Sequence, residues 1–489
     1  MPLDIPPADQ ASPDATTPPP PADRPLGGGE PDTARKEPAW PLLDSRPTRP
    51  TKDSPPDKPT PAGKRRVPIP AIVALVVVLI AAGIGIAIFA GGSGGSGGPV
   101  LPSADPPIPG ADIRVFGGSM DDYFEGVAVG PDGTVTVIGR TMSTDRIFAA
   151  DKMRPAKGAG VIGVLNRPTT PLTASDNDTF QGIATLPAGG FVVAGATQDA
   201  NVGTMSVYAP NGTLANQYQM KSSGTYSLFS PVVVTDGNIV MLGDAGNTRL
   251  LVKVSPDGKL VWKKEISLER FGAYLARLAA TPDGGVIAVG MSNGAGTDVT
   301  GTGRALLLKF DAGGNPVWAK TFGGSSTDSF GAVAVTADGG IIAVGVAASP
   351  DGDFPTTGSM DALIARFSPD GDLLWHHTAQ VGKGGASMSE FADVSVLGDR
   401  ILAVGYTGLA GPQSPAVAMG LLASYSLDGT PGKTQVYGDN TAGTLMFGAV
   451  SQTPEGDIYV VGATTVPTGE WASANGGSDA LFVHLRLDN

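Results

Sequence analysis

The segment FGAVAVTADGGIIAVG, at residues 330–345, decides the fold. Small and apolar residues alternate on both sides of an Asp-Gly-Gly turn, a pattern that is typical of a β-hairpin. The segment recurs as FEGVAVGPDGTVTVIG (124–139), FQGIATLPAGGFVVAG (180–195), LARLAATPDGGVIAVG (275–290) and FGAVSQTPEGDIYVVG (447–462), with degenerate copies at 232–243 and 393–405. Seven copies, about 54 residues apart, indicate a repeat architecture.

A second hairpin follows the first in the clearest copy. DALIARF (361–367) and DLLWHH (372–377) flank the turn SPDG, and Trp262, Trp318 and Trp375 hold the same place in three copies. Each repeat therefore supplies four strands, which predicts an all-β fold, a seven-bladed β-propeller with four-stranded blades.

The two ends of the repeat region predict how the ring closes. The last copy stops after DALFVHLRL (479–487), which supplies its third strand and leaves the fourth missing. The orphan IRVFGG (113–118) resembles AKTFGG (319–324), the end of a fourth strand. We expect this N-terminal strand to complete the seventh blade, which removes open sheet edges.

The repeat from Asp328 to Trp375, preceded by Phe322-Gly323-Gly324, resembles the bacterial propeller repeats known as SBBP-type or PQQ-like. The resemblance covers 113–489, and the layout is similar to that of membrane-anchored actinobacterial propellers. It implies the fold and leaves the activity open, because propellers carry many activities. Quinoprotein dehydrogenases are similar in the Trp after the turn, but they typically have eight blades and many carry adjacent cysteines.

The segment AIVALVVVLIAAGIGIAIFA (71–90) has no charged residue and would span about 30 Å as a helix. A buried core helix and a cleaved signal peptide fit less well, so we predict a transmembrane helix over 67–90. Five basic residues lie within 51–70 and none within 91–110. This asymmetry predicts a single-pass protein of a bacterial plasma membrane, with the N-terminus in the cytoplasm and the propeller outside.

Composition divides the rest of the chain. Residues 1–66 are Pro-rich with balanced charge, which predicts a disordered cytoplasmic tail, either a solvated spacer or a docking and phosphorylation segment. Residues 91–110 form a Gly/Ser-rich and then Pro-rich linker, and 111–489 form the propeller. The net charge of −13 falls outside the tail and argues against nucleic acid as a partner.

Three aspartates are candidate ligand-binding residues. Asp122, Asp178 and Asp328 each stand two residues before the Phe of a first strand. They could form a ring of carboxylates that binds Ca²⁺, or each could bond the loop of its own blade. Recurrence in several blades favours the second alternative.

Catalytic chemistry has little support in the sequence. The chain has no Cys, which excludes thiol catalysis and disulfides, and its three His argue against a multi-histidine metal centre. His376 and His377 are adjacent on a strand and point to opposite faces, and Asp351-Gly352-Asp353 is a weak Ca²⁺ candidate. We predict no catalytic residue, no metal ligand and no cofactor; Ca²⁺ and PQQ are conceivable but unsupported.

Loop lengths give the remaining indication of function. Long connections, including 406–418 and 464–478, emerge on one face, and Tyr406 and Trp471 are their best exposed aromatic anchors for a protein or an envelope glycan. The sequence thus favours a membrane-anchored binding or protein-interaction module. The alternatives are a quinoprotein-like dehydrogenase or lyase, and a cell-surface sensor that signals through the cytoplasmic tail.

Overall fold

The structure is a computed structural model. It describes residues 104–105, 110–143, 145, 159–165, 173–175, 178–197, 202–220, 226–245, 248–266, 273–292, 303–356, 360–379, 381, 387–409, 417–473 and 477–486. The predicted tail, the predicted transmembrane helix and most of the linker lie outside the described residues. Within the described ranges, no helix is both long and apolar enough to cross a bilayer.

The described residues form 28 strands in seven antiparallel sheets of four strands, which we number as blades 1–7. Blade 1 holds β2 (Asp122–Val129), β3 (Val135–Thr141), β4 (Ala159–Val164) and β5 (Thr173–Ser175); blade 2 holds β6 (Asp178–Thr185), β7 (Phe191–Thr197), β8 (Val202–Tyr208) and β9 (Leu214–Met220); blade 3 holds β10 (Tyr226–Val233), β11 (Ile239–Ala245), β12 (Thr248–Val254) and β13 (Leu260–Ile266).

The remaining blades repeat this order. Blade 4 holds β14 (Tyr274–Ala280), β15 (Val286–Ser292), β16 (Arg304–Phe310) and β17 (Pro316–Phe322); blade 5 holds β18 (Asp328–Val335), β19 (Ile341–Ala347), β20 (Asp361–Phe367) and β21 (Leu373–Ala379); blade 6 holds β22 (Ser387–Leu397), β23 (Arg400–Leu409), β24 (Val417–Ser426) and β25 (Pro431–Tyr437); blade 7 holds β26 (Leu445–Gln452), β27 (Asp457–Thr464), β28 (Asp479–Arg486) and β1 (Asp112–Phe116).

The ring closes through the N-terminal strand, as the sequence predicts. Strand β1 pairs antiparallel with β28, from Asp112 opposite His484 to Phe116 opposite Ala480. The first strand of every blade contacts the first strands of both neighbouring blades, including β2 with β26 across the seam. The chain is a seven-bladed β-propeller.

A bulge in the first strand explains the glycine that closes each repeat. In blade 5 the register between β18 and β19 shifts between Phe330 and Ala332, which leaves Gly331 unpaired. The carbonyl of Ser329 then occupies the place where a Cβ on Gly345 would stand, so only glycine fits there. The same contact recurs in five other blades, at Gly139, Gly195, Gly290, Gly405 and Gly462.

The Trp that recurs in blades 3, 4 and 5 joins its blade to the next one. The indole of Trp318 in blade 4 packs on the turn glycine Gly371 of blade 5, and that of Trp375 in blade 5 packs on Gly429 of blade 6. Trp375 also donates from its indole nitrogen to the carbonyl of Leu427, at 2.9 Å. The spacing between turn and Trp in the repeat therefore encodes contact between neighbouring blades.

The two ends of the propeller differ in their connections. We call the tight-turn face the end that carries the turns between first and second strands, at 130–134, 186–190, 234–238, 281–285, 336–340, 398–399 and 453–456. The Asp-Gly turns predicted there form, with left-handed glycines such as Gly284 (φ +83°). We call the opposite end the long-loop face; it carries the connections between second and third strands and those between blades.

The described part of the linker contacts the outer strand of blade 6. The backbone N–H of Asp105 donates to the carbonyl of Val436 at 2.8 Å, and the N–H of Val436 donates to the Asp105 carboxylate at 2.9 Å. Val436 is the next-to-last residue of β25, so this contact lies toward the long-loop face.

Candidate functional site

Asp122 and Asp328 are buried at the long-loop face and bond the loops of their own region. Asp328 accepts hydrogen bonds from the N–H groups of Gly324 (2.9 Å) and Ala348 (3.0 Å) and from the hydroxyl of Ser349. Burial raises the pKa of both aspartates, although these hydrogen bonds act against the rise. Their carboxylates thus hold the chain between blades, which is the geometry expected for the structural alternative.

The same arrangement repeats in blade 1. Asp122 accepts from the N–H of Gly118 and from the hydroxyl of Ser143, both at 2.8 Å, and it also bonds Thr141. Asp178 begins β6 in the equivalent position, and its side chain lies outside the described residues.

The Ca²⁺ candidate at 351–353 is also engaged by the protein. Asp351 accepts from the N–H of Ser325 at 2.7 Å, and Asp353 accepts from the N–H of Gly323 at 2.9 Å. In the part of the chain that the structure describes, no three His, Asp or Glu side chains gather as they would to hold a metal ion.

The prediction that Tyr406 and Trp471 are exposed anchors on loops is wrong. Trp471 is 8% exposed and packs against Tyr437 and Phe447, with ring centroids 5.7 and 6.3 Å away. Tyr406 lies on strand β23, and its hydroxyl donates to the Glu390 carboxylate at 3.0 Å. Trp471 thus belongs to the core between blades 6 and 7, and Tyr406 is held within blade 6 by Glu390, so neither is an exposed loop residue. Many residues of the long loops lie outside the described ranges, so a partner at that face stays a prediction.

The adjacent histidines point apart, as the strand geometry predicts. His376 contacts the ring of Phe354 in the same blade (5.3 Å), whereas His377 reaches the carbonyl of Gly429 in blade 6 at 2.7 Å. His484 bonds Asp457 at 2.9 Å. Each of the three histidines thus contacts or bonds another part of the propeller.

The described residues enclose a wide funnel at the centre of the tight-turn face. It has a volume of about 800 Å³ and is formed by blades 1–5. Apolar and threonine side chains dominate its wall, among them Pro131, Leu186, Pro187, Val233, Val234, Thr235, Ala280, Thr281, Pro282, Val335 and Thr336. The funnel is therefore an apolar opening into the axis of the propeller.

Aspartates in the turns of this face pair with cations from the third strands, and one of them, Asp236, lines the funnel. Lys253 bonds Asp236 at 2.6 Å, and Lys309 bonds Asp283 at 2.8 Å. Although partial burial acts to raise the pKa of Asp283, hydrogen bonds from Lys309, Thr281 and Gly285 lower it to about 2. The basic residue of the repeat thus anchors the Asp-Gly turn, and the rim stays charged at neutral pH.

Below the funnel, the channel narrows to a chamber of about 260 Å³, which we call the waist. Three charged side chains from three blades line it: Glu125 of β2, Arg277 of β14 and Asp393 of β22. Burial raises the pKa of Glu125 to about 7, against the opposing effect of Arg140 and Arg277. Burial also raises the pKa of Asp393.

Sequence analysis missed the waist because its residues sit at the bulge of the first strand. The register shifts fall between Phe124 and Gly126 in blade 1, between Leu275 and Arg277 in blade 4 and between Phe391 and Asp393 in blade 6. A bulge breaks the alternation that tells inward from outward residues. The available signal was charge: blades 5 and 7 carry Gly-Ala at this place, whereas blade 1 carries Glu, blade 4 Arg and blade 6 Asp.

No family model and no curated protein matches the chain, so its resemblance to SBBP-type or PQQ-like repeats stays a prediction. Similar solved structures include virginiamycin B lyase from Staphylococcus aureus (10% identity, TM-score 0.44, covering 77% of this chain and 99% of that one). Others are Drosophila plexin A in complex with semaphorin 1b (11%, 0.43, 77% and 86%) and YCF48 bound to D1 peptide (11%, 0.46, 80% and 98%). Similarity at this level carries no argument about activity.

Proposed function

We propose that the chain is a binding module, held by one N-terminal helix in a bacterial plasma membrane, that takes its ligand into the central channel from the tight-turn face. The observation that carries this proposal is the funnel that five blades form at that face and the charged waist beneath it. Pockets for ligands are usually concave, mostly apolar and equipped with a few polar groups that converge on one place. The funnel and the waist together have this character.

The two cavities adjoin along the first strands. Val232 lines the waist and Val233 lines the funnel, and the same succession occurs at Ala184 and Thr185 in blade 2. Because the walls are strands locked by blade-to-blade packing, the site is formed before any ligand arrives. A preformed site spends little binding energy on ordering the protein.

The chemistry of the waist favours binding over nucleophilic catalysis. The hydroxyl of Ser230, which lines it, accepts a hydrogen bond from the N–H of Leu278 at 2.7 Å and so joins blade 3 to blade 4. One carboxylate oxygen of Asp393 likewise accepts from the N–H of Val450 in blade 7, at 2.9 Å. Both groups accept hydrogen bonds from backbone N–H groups of a neighbouring blade. These bonds fix their positions, which suits them to contact a ligand rather than to act as a nucleophile or to transfer a proton.

The test is to block the funnel with one bulky side chain. Ala280→Trp places an indole in the funnel wall, and Ala215→Trp makes the same change on the exposed outer strand of blade 2. We expect molecules that co-purify from envelope extracts with the wild-type chain to be retained by Ala215→Trp and lost with Ala280→Trp. Equal capture by both folded variants would refute a site in the funnel.

The membrane part of the proposal rests on the apolar segment 71–90 and the basic residues before it. Protease added to intact cells should release the propeller and leave the N-terminal tail protected. A protected propeller would reverse the orientation, and recovery of the uncleaved chain in the soluble fraction would remove the anchor.

A further inference from the structure

We propose that the waist binds a zwitterionic molecule of amino-acid size, with the ligand's carboxylate on Arg277 and its ammonium group between Glu125 and Asp393. The inference rests on the proposed function and adds the chemical class of the ligand. It follows from three observations on the described residues: unfilled donors on the Arg, unfilled acceptors on the acids, and their separation on different walls of one small chamber.

Arg277 has hydrogen-bonding capacity that the protein does not fill. Its guanidinium makes one long hydrogen bond, 3.5 Å from Nη1 to the carbonyl of Gln181 across the channel. Among the described residues, no carboxylate oxygen lies within 4.0 Å of its nitrogens, although other Arg and Lys side chains of the propeller form such pairs. A guanidinium offers five N–H donors in a planar fork that matches a carboxylate, so the open side of Arg277 suits that group.

The two acids have the complementary property. In the described part of the chain, the carboxylate of Glu125 has no hydrogen-bonding partner, and it interacts with Arg140 and Arg277 only as more distant charges. Asp393 lines the chamber and accepts hydrogen bonds from the backbone N–H groups of Val450 and Val394, so a carboxylate with about four acceptor positions keeps capacity for a ligand. Carboxylates that line a cavity without donors are well placed to receive an ammonium group.

The architecture keeps these charges from neutralising one another directly. Glu125 belongs to blade 1, Arg277 to blade 4 and Asp393 to blade 6, so each extends from a different wall of the ring. A charged group without a partner is costly in a confined space, which is why burial raises the pKa of both acids. A ligand with both charges would pair with Arg277 and favour the ionised form of the two acids.

The chamber also limits the size and character of the ligand. It has a volume of about 260 Å³, and its other walls include Val127, Ile183, Val232, Leu278 and Val333. These apolar walls leave room for a hydrocarbon side chain beside the two charged ends. A free amino acid fits this description, and it would enter through the funnel.

The decisive experiment is calorimetric titration of the full chain, purified in detergent at neutral pH, with glycine, leucine and phenylalanine. Two analogues of leucine each lack one charge: 3-methylbutylamine has no carboxylate and 4-methylpentanoate has no ammonium. We expect at least one of the amino acids to bind, and both single-charge analogues to bind at least about tenfold more weakly than leucine. If none of the three amino acids binds, or if an analogue binds as well as leucine, the proposal is wrong.

Variants locate the site. Arg277→Met and Glu125→Gln should each weaken binding by at least about tenfold, whereas Arg486→Met, on the exposed end of β28, should leave it unchanged. Binding that survives Arg277→Met in a folded protein would place the ligand elsewhere and refute the assignment. If a variant fails to fold, the comparison of leucine with its analogues on the wild type still decides. Loss of captured molecules in Ala280→Trp without amino-acid binding would keep the proposed function and reject this ligand.

Discussion

At the long-loop face, the carboxylates of Asp122 and Asp328 are fully buried and hold loop backbone, whereas the aspartates of the tight-turn face stand at the surface. The side chains of Asp283 and Asp338 are 56% and 68% exposed and pair with Lys309 and Arg366. The repeat places one aspartate at each end of a first hairpin, and the two have opposite surroundings. The recurrence of an Asp in the sequence therefore does not show how much that residue contributes to the free energy of unfolding.

Burial makes the difference. Removal of a buried acceptor leaves donors that water cannot reach, and each such group costs about 1–3 kcal/mol. An exposed ion pair contributes about 0–1 kcal/mol, because water replaces the lost partner. We expect substitutions at the two faces to separate clearly in their effect on stability.

The largest expected effect is at the long-loop face. Trp471→Ala empties the pocket beside Tyr437 and Phe447 and should lower the free energy of unfolding by about 3–5 kcal/mol. Leu374→Ala is the control, since Leu374 is 56% exposed on β21 and should change stability by less than about 0.5 kcal/mol. Denaturant titration measures both, and equal losses would contradict the burial of Trp471.

Asp328→Ala comes next. It leaves the N–H of Ala348 and the hydroxyl of Ser349 without this acceptor, and it leaves the N–H of Gly324 with only the hydroxyl of Ser349, which should cost about 2–4 kcal/mol. Hydrogen exchange of these two amides should also accelerate. A loss of unfolding free energy smaller than that of an exposed ion pair, about 0–1 kcal/mol, would show that the loop keeps its structure without the carboxylate.

The pH dependence of stability should have opposite signs for the buried and the exposed acids. Burial raises the pKa of Glu125 and of Glu390 to about 7. Since the folded chain holds these protons more tightly than the unfolded chain, stability falls as the pH rises from about 4 to above 7. Asp283, whose pKa is lowered to about 2, contributes stability above pH 4 that is lost as the pH falls toward 2.

Melting temperatures between pH 5 and pH 8 check this prediction. The wild type should melt higher at pH 5, and Glu125→Gln combined with Glu390→Gln should flatten the dependence. A melting temperature that rises with pH over this range would show that the two glutamates are not protonated as we infer.

The smallest expected effect is at the tight-turn face. Asp338→Ala removes the ion pair with Arg366, 3.6 Å long, and the bonds to Thr336 and the N–H of Gly340. The loss should be roughly 0.5–1 kcal/mol. If it equals the loss in Asp328→Ala, the contrast between the two faces fails.

The fold could be predicted from the sequence, because its determinants are local and repeated. Alternation, Asp-Gly turns and the closing glycines lie within each hairpin, and the orphan strand at 113–118 matched a recognisable fourth strand. The waist could not be predicted, because Glu125, Arg277 and Asp393 are far apart in the chain and meet only when the ring closes. The burial of Trp471 is also a tertiary effect: its neighbours Tyr437 and Phe447 belong to two different blades.

The contact between Asp105 and Val436 has a mechanical consequence. In the described part of the chain, the two hydrogen bonds between Asp105 and Val436 are the first that a pull from the N-terminal side would load. The five residue pairs of β1 with β28 come next in the chain. Such a pull would reach these two edge contacts in series before it reached any first strand around the channel, so the ligand site that we propose there would be shielded from it.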